Sequence, residues 1–331
     1  MNFQQLRYVR ETVRQGLNLT EAAKRLFTSQ PGVSKQIREL EVELGIDIFV
    51  RRGKRLVAIT EPGKAVLRIV ERMLVDADNL KQVGQEFKEE KTGTLTIATT
   101  HTQARYSLPK VVTEFKRRYP GVHLHLQQGS PPQLAQMIIN GEADIAIATE
   151  SLDRFPALLA LPAYSWSHCV VVPRMHELAR KTAVTLEDLE AYPIVTYDPT
   201  FTGRSRIDQA FAAKGLQPEI ALSAIDSDVI KSYVELGLGI GIIASMAYDP
   251  ERDRELVRVE AGHLFHSSTT RVAIKRGAYL RGFAYAFIEM FSPPLSRSAI
   301  EQRWQAKARS TSCDVWIVAR RPYVIAMRIP G

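Results

Sequence analysis

The spacing of the apolar residues changes once along this chain, near residue 93, and that change divides it into two parts of different architecture. Before it, Phe3, Leu6, Val9, Val13 and Leu17 recur at steps of three and four, the stripe of an amphipathic helix. Ala22, Ala23 and Leu26 mark a short second helix capped by Thr20, and Val33, Ile37, Leu40 and Leu44 mark a third that Gly45 ends. The runs IDIFV (46–50) and RLVAI (55–59) flank Arg51-Arg52-Gly53-Lys54 and read as a hairpin with a basic tip. A long helix then starts at Thr60, with Pro62 in its first turn. Its stripe, Val66, Ile69, Met73, Ala77, Leu80, Val83 and Phe87, has a mean spacing of 3.5 residues, the coiled-coil period. That predicts a dimerising linker helix; the competing reading is one amphipathic helix lying on its own domain.

After residue 93 strands and helices alternate. TLTIATT, VHLHLQQ and ADIAIAT are separated by helices over 108–119 and 131–140. HCVVVP and PIVTYD follow, then a helix over 204–214, EIALSAI, a helix over 228–236, IGIIA, TRVAIK and a helix near 279–291. Two βα sets predict two doubly wound, mostly parallel α/β lobes with a cleft between them. The expected boundaries are 1–59 for the winged domain, 60–91 for the linker helix and 92–292 for the two-lobed domain. Within the last, 92–163 and 269–292 form lobe I and 164–268 lobe II. Residues 293–331 show no pattern that places them in a fold.

Composition narrows the classes. No apolar run approaches the roughly 18 residues of a membrane span, and the N-terminus is charged where a signal peptide is apolar. Two cysteines, Cys169 and Cys313, make neither a disulfide framework nor a four-cysteine zinc site. A cytoplasmic protein without a membrane partner is expected. The net charge of +8 is unevenly spread: +4 over 1–91, −1 over 92–295 and +5 over 296–331. A basic head on a neutral body suggests a polyanion partner for that end, although solubility charge accounts for +4 equally well.

Helix, tight turn, helix and basic hairpin together make a winged helix-turn-helix. The second helix of such a motif presents its first residues to the major groove, here Ser29, Gln30, Pro31, Gly32, Ser34, Lys35 and Arg38. Gln pairs bidentately with adenine, and Lys and Arg with guanine or phosphate. Arg51, Arg52 and Lys54 on the wing are placed to reach flanking phosphates. The competing reading, a winged-helix protein-interaction module, is disfavoured by the basic wing.

In the second part, three loops leaving strand ends carry hydroxyls: Thr99-Thr100-His101-Thr102-Gln103, Thr149, and Thr200-Phe201-Thr202-Gly203. Ligands of open α/β sheets sit at such ends, and hydroxyls, an amide and helix N-termini are good donors to a small anion. Threonines are equally at home there as caps and turns. Other signals are weaker. Gly237, Gly239 and Gly241 lie between a helix and a strand, the reverse of a dinucleotide-binding loop. His123 and His125 share a strand face without a third ligand. Ser165, Ser167 and His168 lack a nucleophile elbow, and Cys169 sits in an apolar strand. No catalytic or metal site is expected, and the chain reads as a non-enzyme.

The run LNLTEAAKRLFTSQPGVSKQIRELEVELGIDIFVRR resembles the DNA-binding domain of LysR-type transcriptional regulators, through its AA, SQP and S-x-x-I-x-x-LE-x-x-LG elements. Leu19 stands where the family usually has an aromatic residue. The wing RRGKRLVAIT and the segment TIATTHTQARYSLP resemble the CysB/Cbl-like branch, which controls sulfur assimilation and cysteine synthesis. The resemblance covers about residues 1–292. It implies a homodimer or homotetramer on a dyad-symmetric double-stranded operator, contact with RNA polymerase, and an effector domain like type 2 periplasmic binding proteins. No cofactor is implied beyond a small effector: N- or O-acetylserine, sulfate or thiosulfate. Carried onto this sequence, the effector residues are Thr100, Thr102, Gln103, Thr149 and Thr202, with Trp166 lining the cleft. The implied function is activation of cysteine-synthesis genes. The alternatives are a regulator of a related sulfonate or sulfate-ester regulon, and a solute-binding protein or enzyme built on the two-lobed domain.

Overall fold

The computed structural model describes residues 1–53, 55–88 and 92–304, with only the backbone at 85–88, 150 and 202. Residues 1–88 with 277–279 form one compact unit, and the rest of the described chain forms a second.

The first unit is built as the periodicity predicts: α1 (Phe3–Arg14), α2 (Leu19–Arg25), α3 (Gln30–Leu44), an antiparallel hairpin of β1 (Phe49–Arg52) and β2 (Arg55–Ile59), and α4 (Glu61–Lys88). Its core joins Leu6, Val9, Val33, Ile37 and Leu40 to Ile48 and Phe49 of the wing and to Val70 and Leu74 of α4. Asn18, not Thr20, caps α2, its side chain accepting from the Thr20 and Glu21 amides. Asn reaches these amides from just outside the helix, which Thr20, already inside it, does not. Ser29 caps α3, and Gly45 ends it in the left-handed conformation. Thr60 donates its hydroxyl to the Asp47 carbonyl and accepts from the Gly63 amide. A Cβ at Gly63 would stand 2.1 Å from the Ile48 carbonyl oxygen, so only glycine lets α4 start this close to the wing.

On α4 the buried apolar side chains are Val70 and Leu74, whereas Ile69 and Leu80 of the expected stripe are 49% and 74% exposed. The helix therefore has two apolar faces, one packed on its own unit and one open. The packed face is that of an amphipathic helix lying on its own unit; the open face is where a partner helix would pack. The side chain of Phe87 lies outside the described ones.

The second unit has two lobes, each a five-stranded mixed sheet. Lobe I orders β4-β3-β5-β12-β6, from β3 (Gly93–Thr99), β4 (Val122–Gln128), β5 (Ile145–Thr149), β6 (Leu158–Trp166) and β12 (Ser268–Lys275). Lobe II orders β11-β7-β10-β8-β9, from β7 (His168–Pro173), β8 (Ile194–Tyr197), β9 (Ile220–Ala224), β10 (Ile240–Ala244) and β11 (Leu256–Val259). In lobe I, β3 runs parallel to β4 and β5, while β12 is antiparallel to β5 and β6. In lobe II, β8 runs parallel to β9 and β10, and β7 is antiparallel to β10 and β11. The sheets are thus half antiparallel, because the strand that enters each lobe from the other, β12 in lobe I and β7 in lobe II, runs against both of its neighbours. The chain crosses at Ser167 and over 260–267, a few residues from the expected positions.

Four helices matter for the cleft. A wide turn over Gln103–Ser107 runs into α5 (Leu108–Arg118), and α6 (Pro131–Asn140), α8 (Thr202–Ala213) and α9 (Ser227–Glu235) follow. The short α7 (Leu186–Glu190) lies between β7 and β8, and α10 (Gly282–Phe291) packs Phe283, Phe287 and Ile288 into lobe I. The chain after α10 is helical again over 297–304, with Leu295 and Ile300 buried in the lobe I core and Trp304 against it. The unplaced tail thus begins as part of lobe I; residues 305–331, including Cys313, lie outside the described residues.

Candidate functional site

Two sites emerge, one in each unit. In the first, α3 and the wing form a concave surface of about 700 Å³ lined by Gln30, Pro31, Ser34, Lys35, Arg38, Arg51 and Gly53, with Leu19, Glu39 and Val42. Ser29 and Gly32 stand at the start of α3, where the Ser29 hydroxyl accepts from the Gly32 amide at 3.3 Å. Lys35, Arg38 and Arg52 are exposed. Lys54 lies outside the described residues.

Arg51 lines this surface and is also paired within the unit. Its Nη1 lies 2.6 Å from Glu41 Oε2. Glu41 is 5% exposed, and its other oxygen accepts from the Ile48 and Phe49 amides at 2.9 and 3.1 Å. Arg51 thus ties the wing to α3 through a charge-assisted bond while lining the concave surface.

In the second unit a small cavity lies between the lobes, with space of about 40 Å³ for the centres of water-sized molecules, enough for a few non-hydrogen atoms. From lobe I it is lined by Thr100, Thr102, Gln103, Pro131, Thr149 and Trp166, and from lobe II by Tyr197, Phe201, Gly203 and Ala244. Five of the six residues expected to meet an effector come together here. The sixth, Thr202, adjoins the lining residue Gly203 at the start of α8; its side chain lies outside the described ones. The α6 and α8 N-termini and the turn that leads into α5 all open on this space, and no lysine or arginine among the described residues lines it. Helix N-termini and neutral donors suit an anion held without a counter-charge.

Gln103 is committed within the cavity wall. Its amide nitrogen donates to Thr270 Oγ1 at 3.1 Å, and its carbonyl accepts from the Tyr164 hydroxyl at 2.5 Å. The same nitrogen also approaches Met246 Sδ at 4.0 Å, so both amide hydrogens have acceptors in the wall. The Trp166 indole N–H is buried without a partner among the described residues. Behind it lies His168, with ring centroids 5.0 Å apart. His168 is fully buried, and burial, with Arg206 nearby, lowers its pKa to about 4. The ring is therefore neutral near pH 7. Burial likewise pushes the Cys169 thiol up to about 12, an inert group. A Cβ on Gly239 or Gly241 would meet the Pro193 carbonyl oxygen at 2.1 Å or a Val171 methyl at 2.6 Å, so these glycines permit close packing. His123 and His125 lie exposed along β4.

Beside the cavity the lobes are joined by a clasp that the sequence did not reveal. The Tyr106 hydroxyl donates to Asp228 at 2.7 Å, and Arg105 pairs with the same carboxylate at 2.8 Å. Burial opposes ionisation of Asp228, but the Tyr106 hydrogen bond and the Lys231 and Arg105 charges outweigh it and hold the pKa below the carboxylate norm. Lys231, 5% exposed, is itself anchored on Asp253 at 2.8 Å.

Two family models cover most of the chain: the bacterial regulatory helix-turn-helix protein, lysR family, over residues 3–64, and the LysR substrate binding domain over residues 88–293. The HTH-type transcriptional regulator SsuR of Burkholderia cenocepacia is 60% identical across 91% of this chain and 97% of its own length. The regulator CysB of the same organism is 56% identical across 94% and 99%. The crystal structure of the cofactor-binding domain of the Cbl transcriptional regulator is 46% identical and superimposes with a TM-score of 0.62, covering 65% of this chain and 94% of that one.

Proposed function

Since this chain belongs to the LysR family of bacterial transcriptional regulators, we propose that it controls sulfur-assimilation and cysteine-synthesis genes in response to a small anionic effector held between its lobes. The carrying observation is the cavity: short neutral donors from Thr100, Thr102, Thr149 and Trp166 converge with helix N-termini on space for a few atoms. Sulfate and thiosulfate have the size and acceptor-rich chemistry for it; acetylserine has the same acceptor chemistry but needs the lobes further apart. The names of the similar regulators CysB and Cbl support the sulfur branch. The similarity to SsuR keeps a sulfonate or sulfate-ester regulon as the second reading.

Calorimetric titration of the full chain with acetylserine, sulfate, thiosulfate and an alkanesulfonate tests this. Thr100→Ala and Thr149→Ala each remove a hydroxyl from a buried anion, a loss of about 1.5–3 kcal/mol, or roughly tenfold or more in affinity. Tight binding that survives both substitutions moves the site elsewhere. No binding of any of the four leaves a DNA-binding regulator without the sulfur assignment.

DNA recognition falls to the surface of Gln30, Pro31, Ser34, Lys35 and Arg38, with Ser29 and Gly32 setting the helix start and Arg52 and Lys54 reaching phosphates from the wing. The chain acts as a dimer or tetramer on a dyad-symmetric operator, where it meets RNA polymerase. The open stripe of Ile69 and Leu80 on α4 supports the assembly, as does the exposed row of Val229, Tyr233 and Leu236 along α9 and its end. Leu80→Glu would bury an unpaired carboxylate in a paired helix and is expected to shift sedimentation to a smaller species. An unchanged sedimentation coefficient would mean that the Leu80 face stays open in solution.

A further inference from the structure

Two residues other than glycine have positive φ among the described residues, Leu17 at 67° and Phe27 at 51°. Such a backbone is uncommon for a bulky side chain and needs compensation. Leu17 has it: the side chain packs against the core formed by α1, α3 and the wing. Phe27 has none among the described residues, because it is 97% exposed. The turn between α2 and α3 requires a left-handed residue, since the Phe27 amide bonds back to the Lys24 carbonyl and the Thr28 amide to the Ala23 carbonyl. Glycine or asparagine would meet that requirement with less strain. The aromatic ring adds an exposed apolar surface that the fold does not use.

Its position says what the ring meets. Phe27 stands two residues before Ser29, the cap of α3, so it lies at the end of that helix that enters a groove. The preceding residues, Lys24 and Arg25, are exposed cations, and Gln30 and Pro31 beyond the turn line the concave surface. A partner here is a polyanion that also offers apolar surface. We propose that Phe27 is a DNA-contacting residue whose ring packs on the deoxyribose face of the strand bordering the groove, where phosphates lie in reach of Lys24 and Arg25. This rests on the DNA-binding reading and adds to it an apolar contact beside the polar ones.

The test uses the full chain and a duplex that the parent protein selects from a random-sequence pool. Phe27→Asn places a residue that tolerates the left-handed backbone where the ring stood. It is expected to melt no lower than the parent while binding the duplex about five- to tenfold more weakly. Phe27→Tyr keeps the ring and should bind within about twofold of the parent. The dependence of affinity on salt should stay that of the parent in both, because a ring releases no counterions, whereas Lys35→Ala should weaken binding and reduce the salt slope by about one per chain. Should Lys35→Ala lose affinity while Phe27→Asn binds like the parent, the Phe27 contact is wrong and the DNA surface stands. Phe27→Asn melting well below the parent would make the ring a structural element and overturn the proposal. A parent that selects no duplex removes the DNA reading and this contact with it.

Discussion

Glu41→Ala is expected to unfold the winged unit at temperatures where the two-lobed unit stays intact. Glu41 is buried, accepts the Ile48 and Phe49 amides on one oxygen, and holds Arg51 with the other. Alanine leaves two amides without acceptors and a guanidinium without its counter-ion. Removing one partner of a buried pair costs about 3–5 kcal/mol. The lower part of that range applies, because Arg51 retains 21% side-chain exposure and can turn toward water. A loss of this size is a large share of a small domain's stability. Calorimetric melting should show one early transition and one unchanged, with duplex binding lost and effector binding kept. Arg51→Ala should repeat the pattern more mildly. A parent-like melting profile for Glu41→Ala would show that the link between α3 and the wing contributes nothing.

Acid should weaken the two-lobed unit through His168. The folded ring has its pKa lowered to about 4, against about 6.5 in an unfolded chain. Between these values the unfolded chain takes up a proton that the folded chain refuses, so stability falls as the pH drops from about 6.5 to about 4 and is fully present above 6.5. At about 1.4 kcal/mol per pH unit of displacement, the full loss is about 3 kcal/mol. His168→Phe keeps a ring between Trp166 and Phe265, which it now contacts at centroid distances of 5.0 and 5.5 Å, and removes the titration. Urea unfolding at a series of pH values should show a smaller acid loss for the variant, and equal losses in both proteins would place the acid sensitivity in other groups.

Much of this architecture is legible in the sequence, because the apolar period reports which face of an element is buried. Strands β3, β4, β5, β7 to β10 and β12 and helices α5, α6, α8, α9 and α10 follow the pattern, whereas α7, with five residues, is too short to show a period. What escapes it has local causes. In β6, Pro162 interrupts the alternation, and the pairing with β12 skips Ala163, so that Pro162 faces Arg271 and Tyr164 faces Thr270. In β11 only four residues are paired, too few to show a period. Within the cavity, Thr100, Thr102 and Thr149 are readable because strand ends converge there. Tyr197 and Ala244 are not, since they contribute by shape, without a motif, whereas Phe201 and Gly203 belong to the hydroxyl-bearing loop that the sequence marks in lobe II. Arg51 and Arg52 are adjacent and chemically alike; only the buried Glu41 ten residues earlier separates their roles.

The two crossings between the lobes, at Ser167 and over 260–267, have a mechanical consequence. A body fastened at two places turns readily about the line through them and slides along it hardly at all. The span of an occupant, from the threonines on one side to Gly203 and Phe201 on the other, is therefore converted into an opening angle, as the jaws of a caliper convert width into rotation. Under the effector reading proposed above, occupants with the same acceptor atoms but different lengths would hold the lobes at different angles.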